Sequence, residues 1–376
     1  MTPKERMAAA MAGKAPDRVP AMCQMSVGHM LLQTGLAPSE FWHSAPVFAE
    51  GLLRMRALYR FDGILVSLHG HEPDWSRRAA RVVRSEEGER VLWKNGDETF
   101  FPPDDLPVFR PAVPAAKPEF GRFDPDVLPA EIGYIPVSQG LRFGLDPGRL
   151  FDILDIVVGA AGREFSVHGE VTSPLDYVLD LFGFEQAMVG FLEDPGRALR
   201  VLERFTEGIV SLAEGLVGRG ADAVKISSPF AGAGFLSTDF YRRFVAPFEG
   251  RIARAVAAKG ARAYIHTCGD IHDRLELMAG PGVAGIECLD PPPLGRVELE
   301  DAKLRVGDRV FIKGNVDPVH VLLPGGPDRV RADARRRVAA GGPAGFILST
   351  ACSIAPRTPR AHVLGLVEAA EESAGK

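Results

Sequence analysis

A (β/α)8 barrel is the fold class predicted by this 376-residue sequence. Three observations predict it. Short apolar runs rich in β-branched residues alternate with amphipathic helical stretches through the second half of the chain. The connections between them are short, as they are where parallel strands are joined by right-handed crossovers. Counted over the whole chain, the runs number eight, which is the count that closes such a barrel.

The elements follow in order. Arg18–Met25 (RVPAMCQM) is the first run and Phe61–His69 (FDGILVSLH) the second, with a helix fitted to Ser39–Tyr59 between them. Glu164–Glu170 (EFSVHGE) is the third, followed by helices over Pro174–Leu192 and Pro195–Arg219. Ala221–Ser228 (ADAVKISS) is the fourth. Ser237–Lys259 then reads as a helix, with a Ser-Thr-Asp start, apolar positions from Phe240 to Val256 and a stop at Gly260. Ala261–Thr267, Gly285–Asp290, Arg309–Val316 and Gly345–Ala351 complete the set. Their helices lie over Ile271–Ala279, Glu298–Leu304, Asp328–Ala340 and Pro359–Glu372. One stretch breaks the rhythm. Ala80–Phe101 holds two alternating runs around charged Glu-Gly turns, which predicts an antiparallel hairpin inserted after the second strand. It is either a surface ribbon or a lid or dimer contact. The whole chain, 1–376, reads as a single domain carrying that insertion.

Composition narrows the function. With 44 Lys+Arg against 49 Asp+Glu the net charge is −5, so there is no basic footprint for a phosphate backbone and no nucleic-acid partner is expected. No apolar run reaches the roughly 18–20 residues of a membrane span, and the start lacks the apolar core of a secretory signal. The expected location is cytoplasmic. Four cysteines (Cys23, Cys268, Cys288 and Cys352) are too few for a disulfide framework. No GxGxxG or GxxxxGK loop, HExxH or GxSxG is present, so nucleotide-dependent chemistry and serine hydrolysis lack support.

In a barrel of this kind the chemistry gathers at the C-terminal strand ends. His266-Thr267-Cys268-Gly269-Asp270 is the most informative such end. His266 and Cys268 are two apart, so their side chains share one side. Imidazole and thiolate are common zinc donors, and three protein ligands with one open place make a catalytic site. A third donor must come from elsewhere, and Cys352 at the last strand end could enter the same mouth. Glu170 is a labile ligand, a proton acceptor or a helix N-terminal acid. His69, Ser227, Glu287 and Asn315, also at strand ends, are candidates for substrate contact. Cys23 and Cys288 read as packed hydrophobes, with Cys288 facing the helices if Glu287 faces the mouth.

With these residues in hand, the chain resembles the uroporphyrinogen decarboxylase-like superfamily. The matching segments are GADAVKI (220–226), FLSTDFYRRFVAPFEGRI (235–252), HTCGD (266–270), KGNVDP (313–318) and GFILSTAC (345–352). The resemblance implies a (β/α)8 barrel. It covers cofactor-free decarboxylases and zinc-dependent, corrinoid-linked methyltransferases. The decarboxylase pattern has an RQAGRY-like stretch after the first strand, where this chain reads Cys23-Gln24-Met25-Ser26-Val27-Gly28-His29 without an arginine. It also has an Asp after the second strand, where this chain aligns His69. The methylcobamide:thiol methyltransferase branch implies zinc ligands at His266, Cys268 and Cys352. It further implies methyl transfer between methylcobalamin, or another corrinoid carried by a partner protein, and a small-molecule donor or acceptor. A metal-free decarboxylase is the alternative from a second enzyme class, and a binding module that has lost catalysis is the third.

Overall fold

The computed structural model describes residues 1–374; residues 375–376 of the expected single domain lie outside the described residues. Numbered along the chain, β1 is Gly63–Val66. It is followed by β2 (Ala79–Ser85), β3 (Gly88–Trp93), β4 (Glu98–Phe101) and β5 (Val108–Arg110). Next come β6 (Tyr134–Pro136), β7 (Arg142–Gly144), β8 (Ser166–Thr172), β9 (Ala223–Ser227) and β10 (Arg262–Thr267). The last three are β11 (Gly285–Cys288), β12 (Phe311–Val316) and β13 (Phe346–Thr350).

Seven of these form one parallel sheet in the order β1-β8-β9-β10-β11-β12-β13. The strands follow chain order from edge to edge, as right-handed βα repeats require. The eighth predicted strand is not regular. Residues 18–25 make only two isolated parallel bridges to the last strand region, Ala21 with Leu348 and Met25 with Ile354. On their other side Asp62 N–H donates to the Ala21 carbonyl at 2.9 Å. Pro20 has no N–H to give a ladder, which is one physical reason the segment stays irregular. The buried Asp62 carboxylate fastens this seam, accepting from Arg6, Arg18 and the Ala21 N–H.

Prolines and glycines shorten the helices relative to expectation. Ser39–Tyr59 is split into Pro38–His43 and Ala45–Tyr59, with Pro46 in the first turn of the second helix. Ser237–Lys259 is split into Thr238–Phe244 and Ala246–Ala258 at Val245, just before Pro247. Gly183, with φ 85°, separates Pro174–Phe182 from Phe184–Glu193.

The expected hairpin over 80–101 is corrected. β2, β3, β4 and β5 form a four-stranded antiparallel sheet over residues 79–110, and β6 pairs with β7 beyond it. It is not a surface ribbon either. Val91 and Phe101 are buried within the main hydrophobic core, and the carboxylate of Glu89 accepts from the N–H of Ser39 at 2.8 Å.

Inside the sheet's curl a separate apolar cluster holds Met22, Leu65, Ala223, Tyr264, Phe311 and Ile347. The N-terminal helix Pro3–Met11 closes it with Met7, Ala10 and Met11. Strand side chains repeat every second residue. Two positions along from Ala223, Tyr264, Phe311 and Ile347 stand Lys225, His266, Lys313 and Ser349. The interior therefore changes from apolar to polar in one step toward the C-terminal ends.

Candidate metal centre

His266 is the fifth residue of β10, and Cys268 lies just beyond the strand end. Gly269, with φ 75°, turns the chain away immediately afterwards. Asp290 fixes that turn by accepting from the Gly269 N–H at 2.6 Å. Cys352 follows β13 across the mouth. The ligand atoms of His266, Cys268 and Cys352 all lie within 4.8 Å of one another. Cys268 Sγ is 3.4 Å from His266 Nε2 and 3.7 Å from Cys352 Sγ. Both cysteines are half-buried, so the cluster is open on one side.

Below the thiols lies a buried ionic layer. Glu287, in register beside His266 on β11, places Oε2 3.0 Å from His266 Nδ1. The other oxygen of Glu287 accepts from Lys313 Nζ. Lys225 Nζ lies 3.6 Å from Glu287 Oε2 and 3.4 Å from Glu170 Oε1, and also donates to Gln24. Both lysines are fully buried. Burial alone would raise the Glu287 carboxyl, yet Lys313 and Lys225 hold it well below the usual carboxylate range. Burial also works against the Lys225 charge, and Glu170 and Glu287 outweigh it. Among the thiols, hydrogen bonds from Cys288 and Cys352 push Cys268 down to about 4. The contact with Cys268, together with burial, holds Cys352 up.

The remaining expected site residues fall in different places. Glu170 stands at the ionic layer, its Oε2 buried without a protein partner. Ser227 pairs in register with His266. His69 is buried beside β8, with Nε2 2.8 Å from the Glu170 carbonyl. Asn315 is fully buried and engaged by protein groups. Its Nδ2 donates to the Leu289 carbonyl at 2.9 Å, and its Oδ1 accepts from Arg337 at 3.2 Å. Glu287 is likewise occupied by His266 and two lysines rather than free for a substrate.

Sequence reasoning missed Lys225 and Lys313. The available signal was a lone cation inside an otherwise apolar strand, AVKIS and FIKGNV. It also placed the Cys288 thiol on the helix side. Cys288 and Leu289 take positive φ, 87° and 57°, which ends the alternation, and the buried Cys288 thiol interacts with Cys268. A cavity of about 920 Å³ lies elsewhere, beside the antiparallel sheet. Trp42, His43, Trp93 and Phe143 line it, and none of the three donors does.

Residues 142–373, more than half of the chain, match the family model described as uroporphyrinogen decarboxylase (URO-D), and the chain belongs to that family. Two named relatives come from Methanosarcina. The methylcobamide:CoM methyltransferase MtbA of Methanosarcina mazei is 26% identical over 377 residues, covering 98% of each chain. The methylcobamide:CoM methyltransferase MtaA of Methanosarcina barkeri is 26% identical over 223 residues, 59% of this chain and 63% of that protein. A solved methyltransferase from Methanosarcina mazei superposes with a TM-score of 0.74 at 21% identity over 99% of both chains, a likeness of fold.

Proposed function

We propose that this chain is a zinc-dependent methyltransferase moving a methyl group between a corrinoid carried by a partner protein and a small thiol. The observation that carries the reading is the convergence of His266, Cys268 and Cys352 at the open end of the sheet. Tetrahedral zinc with bonds of about 2.0–2.3 Å sets its ligand atoms about 3.5 Å (N to S) and about 3.8 Å (S to S) apart. The two separations from Cys268 Sγ here are 3.4 and 3.7 Å, and all three donor atoms lie within 4.8 Å of one another. The methylcobamide:CoM relatives, one aligned over 98% of both chains, support the corrinoid and the thiol. We read residues 1–376 as one barrel domain, its eighth place filled by the irregular segment 18–25. No described helix is long and apolar enough to cross a membrane.

When bound, the zinc ion would lower the pKa of an acceptor thiol and keep it as a thiolate near neutral pH. The protein's own groups do the rest. Glu287 holds Nδ1 of His266, which fixes the ring and leaves Nε2 facing the sulfurs. Lys225 and Lys313 balance the carboxylates beneath. Glu170 takes the proton of the incoming thiol on Oε2. The thiolate sulfur bonds to the methyl carbon as the cobalt–carbon bond breaks, and that electron pair remains on cobalt as Co(I).

The test is demethylation of methylcobalamin by purified protein across a panel of thiols, followed through the cobalamin absorption spectrum. Zinc-loaded protein is expected to form cob(I)alamin and a methyl thioether in equal amounts. Decarboxylation of a tetrapyrrole by metal-free protein, with no methyl transfer, would establish the alternative lyase.

A further inference from the structure

Three phenylalanine rings stand half out of the protein beside the metal centre. Phe184, Phe230 and Phe235 are 44%, 38% and 52% exposed. They pack on one another, with ring centroids 5.4 Å apart for Phe230 and Phe235, and Phe184 lying 6.5 Å from Phe230 and 5.8 Å from Phe235. Water-facing aromatic clusters are uncommon unless something covers them.

The loop that carries two of them is fixed. It runs from the end of β9, and the fully buried Arg274 donates to the Ala231 carbonyl at 2.6 Å and to the Leu236 carbonyl at 2.8 Å. Ala233 N–H donates to the Asp270 carbonyl at 2.7 Å. At Gly232 a Cβ would come within 2.5 Å of the Cys268 carbonyl, so glycine lets the loop press against the ligand-bearing turn. The loop that carries Phe230 and Phe235 is thus held against the turn that bears Cys268.

We infer that this phenylalanine cluster seats the edge of the corrin macrocycle of the methyl-carrying corrinoid. The inference rests on the proposed methyl transfer and adds the surface on which the second substrate lies. In-line transfer requires the methyl group to project from the corrin face toward sulfur at the thiol cluster. The corrin plane must then lie across the opening, and its rim must overhang the bordering loops. That rim is studded with methyl and methylene groups, which phenylalanine rings bury well. The carrier polypeptide would lie on the far face of the ring.

The test uses free methylcobalamin as the probe, the zinc-loaded full chain, and the double variant Phe230→Ser/Phe235→Ser. The dissociation constant by equilibrium dialysis and the KM for methylcobalamin are expected to rise at least about five-fold, as for loss of buried aromatic anchors. The kcat at saturating methylcobalamin and the zinc content should stay at wild-type levels. Phe184→Ser, on a separate helix, provides a second reading if the double variant folds poorly, and is expected to shift KM in the same direction. Wild-type demethylation with unchanged Kd and KM in the variants would overturn this seat while leaving the methyltransferase reading intact. Wild-type protein that binds zinc but takes no methyl from methylcobalamin would overturn both.

Discussion

Residues 223–352 and residues 79–144 contribute to the same fold in different ways. In the first region each strand has a neighbour fixed by the repeat, so a residue at one strand end has a determined place relative to the next. His266 lies beside Ser227 on one side and Glu287 on the other for that reason alone. In the second region nothing repeats. β2 to β5 fold on themselves, and their position is set by contacts with distant parts of the chain, such as Glu89 with Ser39 and Trp93 with His43. The comparison teaches that a repeat makes function readable from spacing, whereas an insertion is readable only through its packing.

The comparison breaks if the insertion proves dispensable. Replacing residues 80–101 by a short Gly-Ser loop would uncover Trp75 and His43, which pack on Trp93 and Phe101, and is expected to unfold the protein at ordinary temperatures. Phe101→Ala is the milder form, expected to cost about 3–5 kcal/mol in urea unfolding. A stable, cooperative loop-replaced protein would make the antiparallel sheet an ornament.

Glu287→Gln probes the repeating region at its buried charge layer. It leaves Lys225 and Lys313 short of a counter-charge, which is expected to cost on the order of 3 kcal/mol in the same measurement. Zinc affinity should also fall, about 10–100-fold, because His266 loses the carboxylate that orients it. Wild-type zinc affinity in that variant would detach the ionic layer from the site.

A smaller effect comes from pH. His69, His71 and His168 are buried, and burial pushes them down to about 4, about 3 and about 3. Between about pH 6.5 and those values the unfolded chain binds protons that the folded chain refuses. Each histidine therefore removes about 1.4 kcal/mol of stability per unit as pH falls through that window. Asp176 acts in the opposite sense, since burial pushes its carboxyl up to about 7. The net expectation is a melting temperature that falls from pH 6.5 to 4.5; a flat or rising profile would contradict the neutral histidines. Smallest of all is the partly exposed pair Arg90–Glu98 on the antiparallel sheet. Arg90→Ala should change stability by no more than about 1 kcal/mol.

How far the sequence carried follows from the same contrast. Seven of the strand positions and the convergence of strand ends were legible because alternation and helix punctuation are local signals. The irregular first strand was not, because Pro20 lacks a donor and the Asp62 seam joins residues 41 positions apart. The partners of Asn315 were not legible for a similar reason, since Arg337 and the Leu289 carbonyl come from other elements. Cys288 was misplaced because two successive positive φ angles reverse a rule that otherwise holds along β11.

The central claim is that three donors from two strand ends hold one zinc ion. The most direct test is metal analysis of wild type, His266→Ala, Cys268→Ser and Cys352→Ser after zinc loading and dialysis against a weak chelator, with circular dichroism on each. The expected result is about one zinc per wild-type chain, little or none in each variant, and an unchanged fold throughout. Full zinc retention in Cys352→Ser, or methyl transfer by wild type carrying no metal, would contradict it.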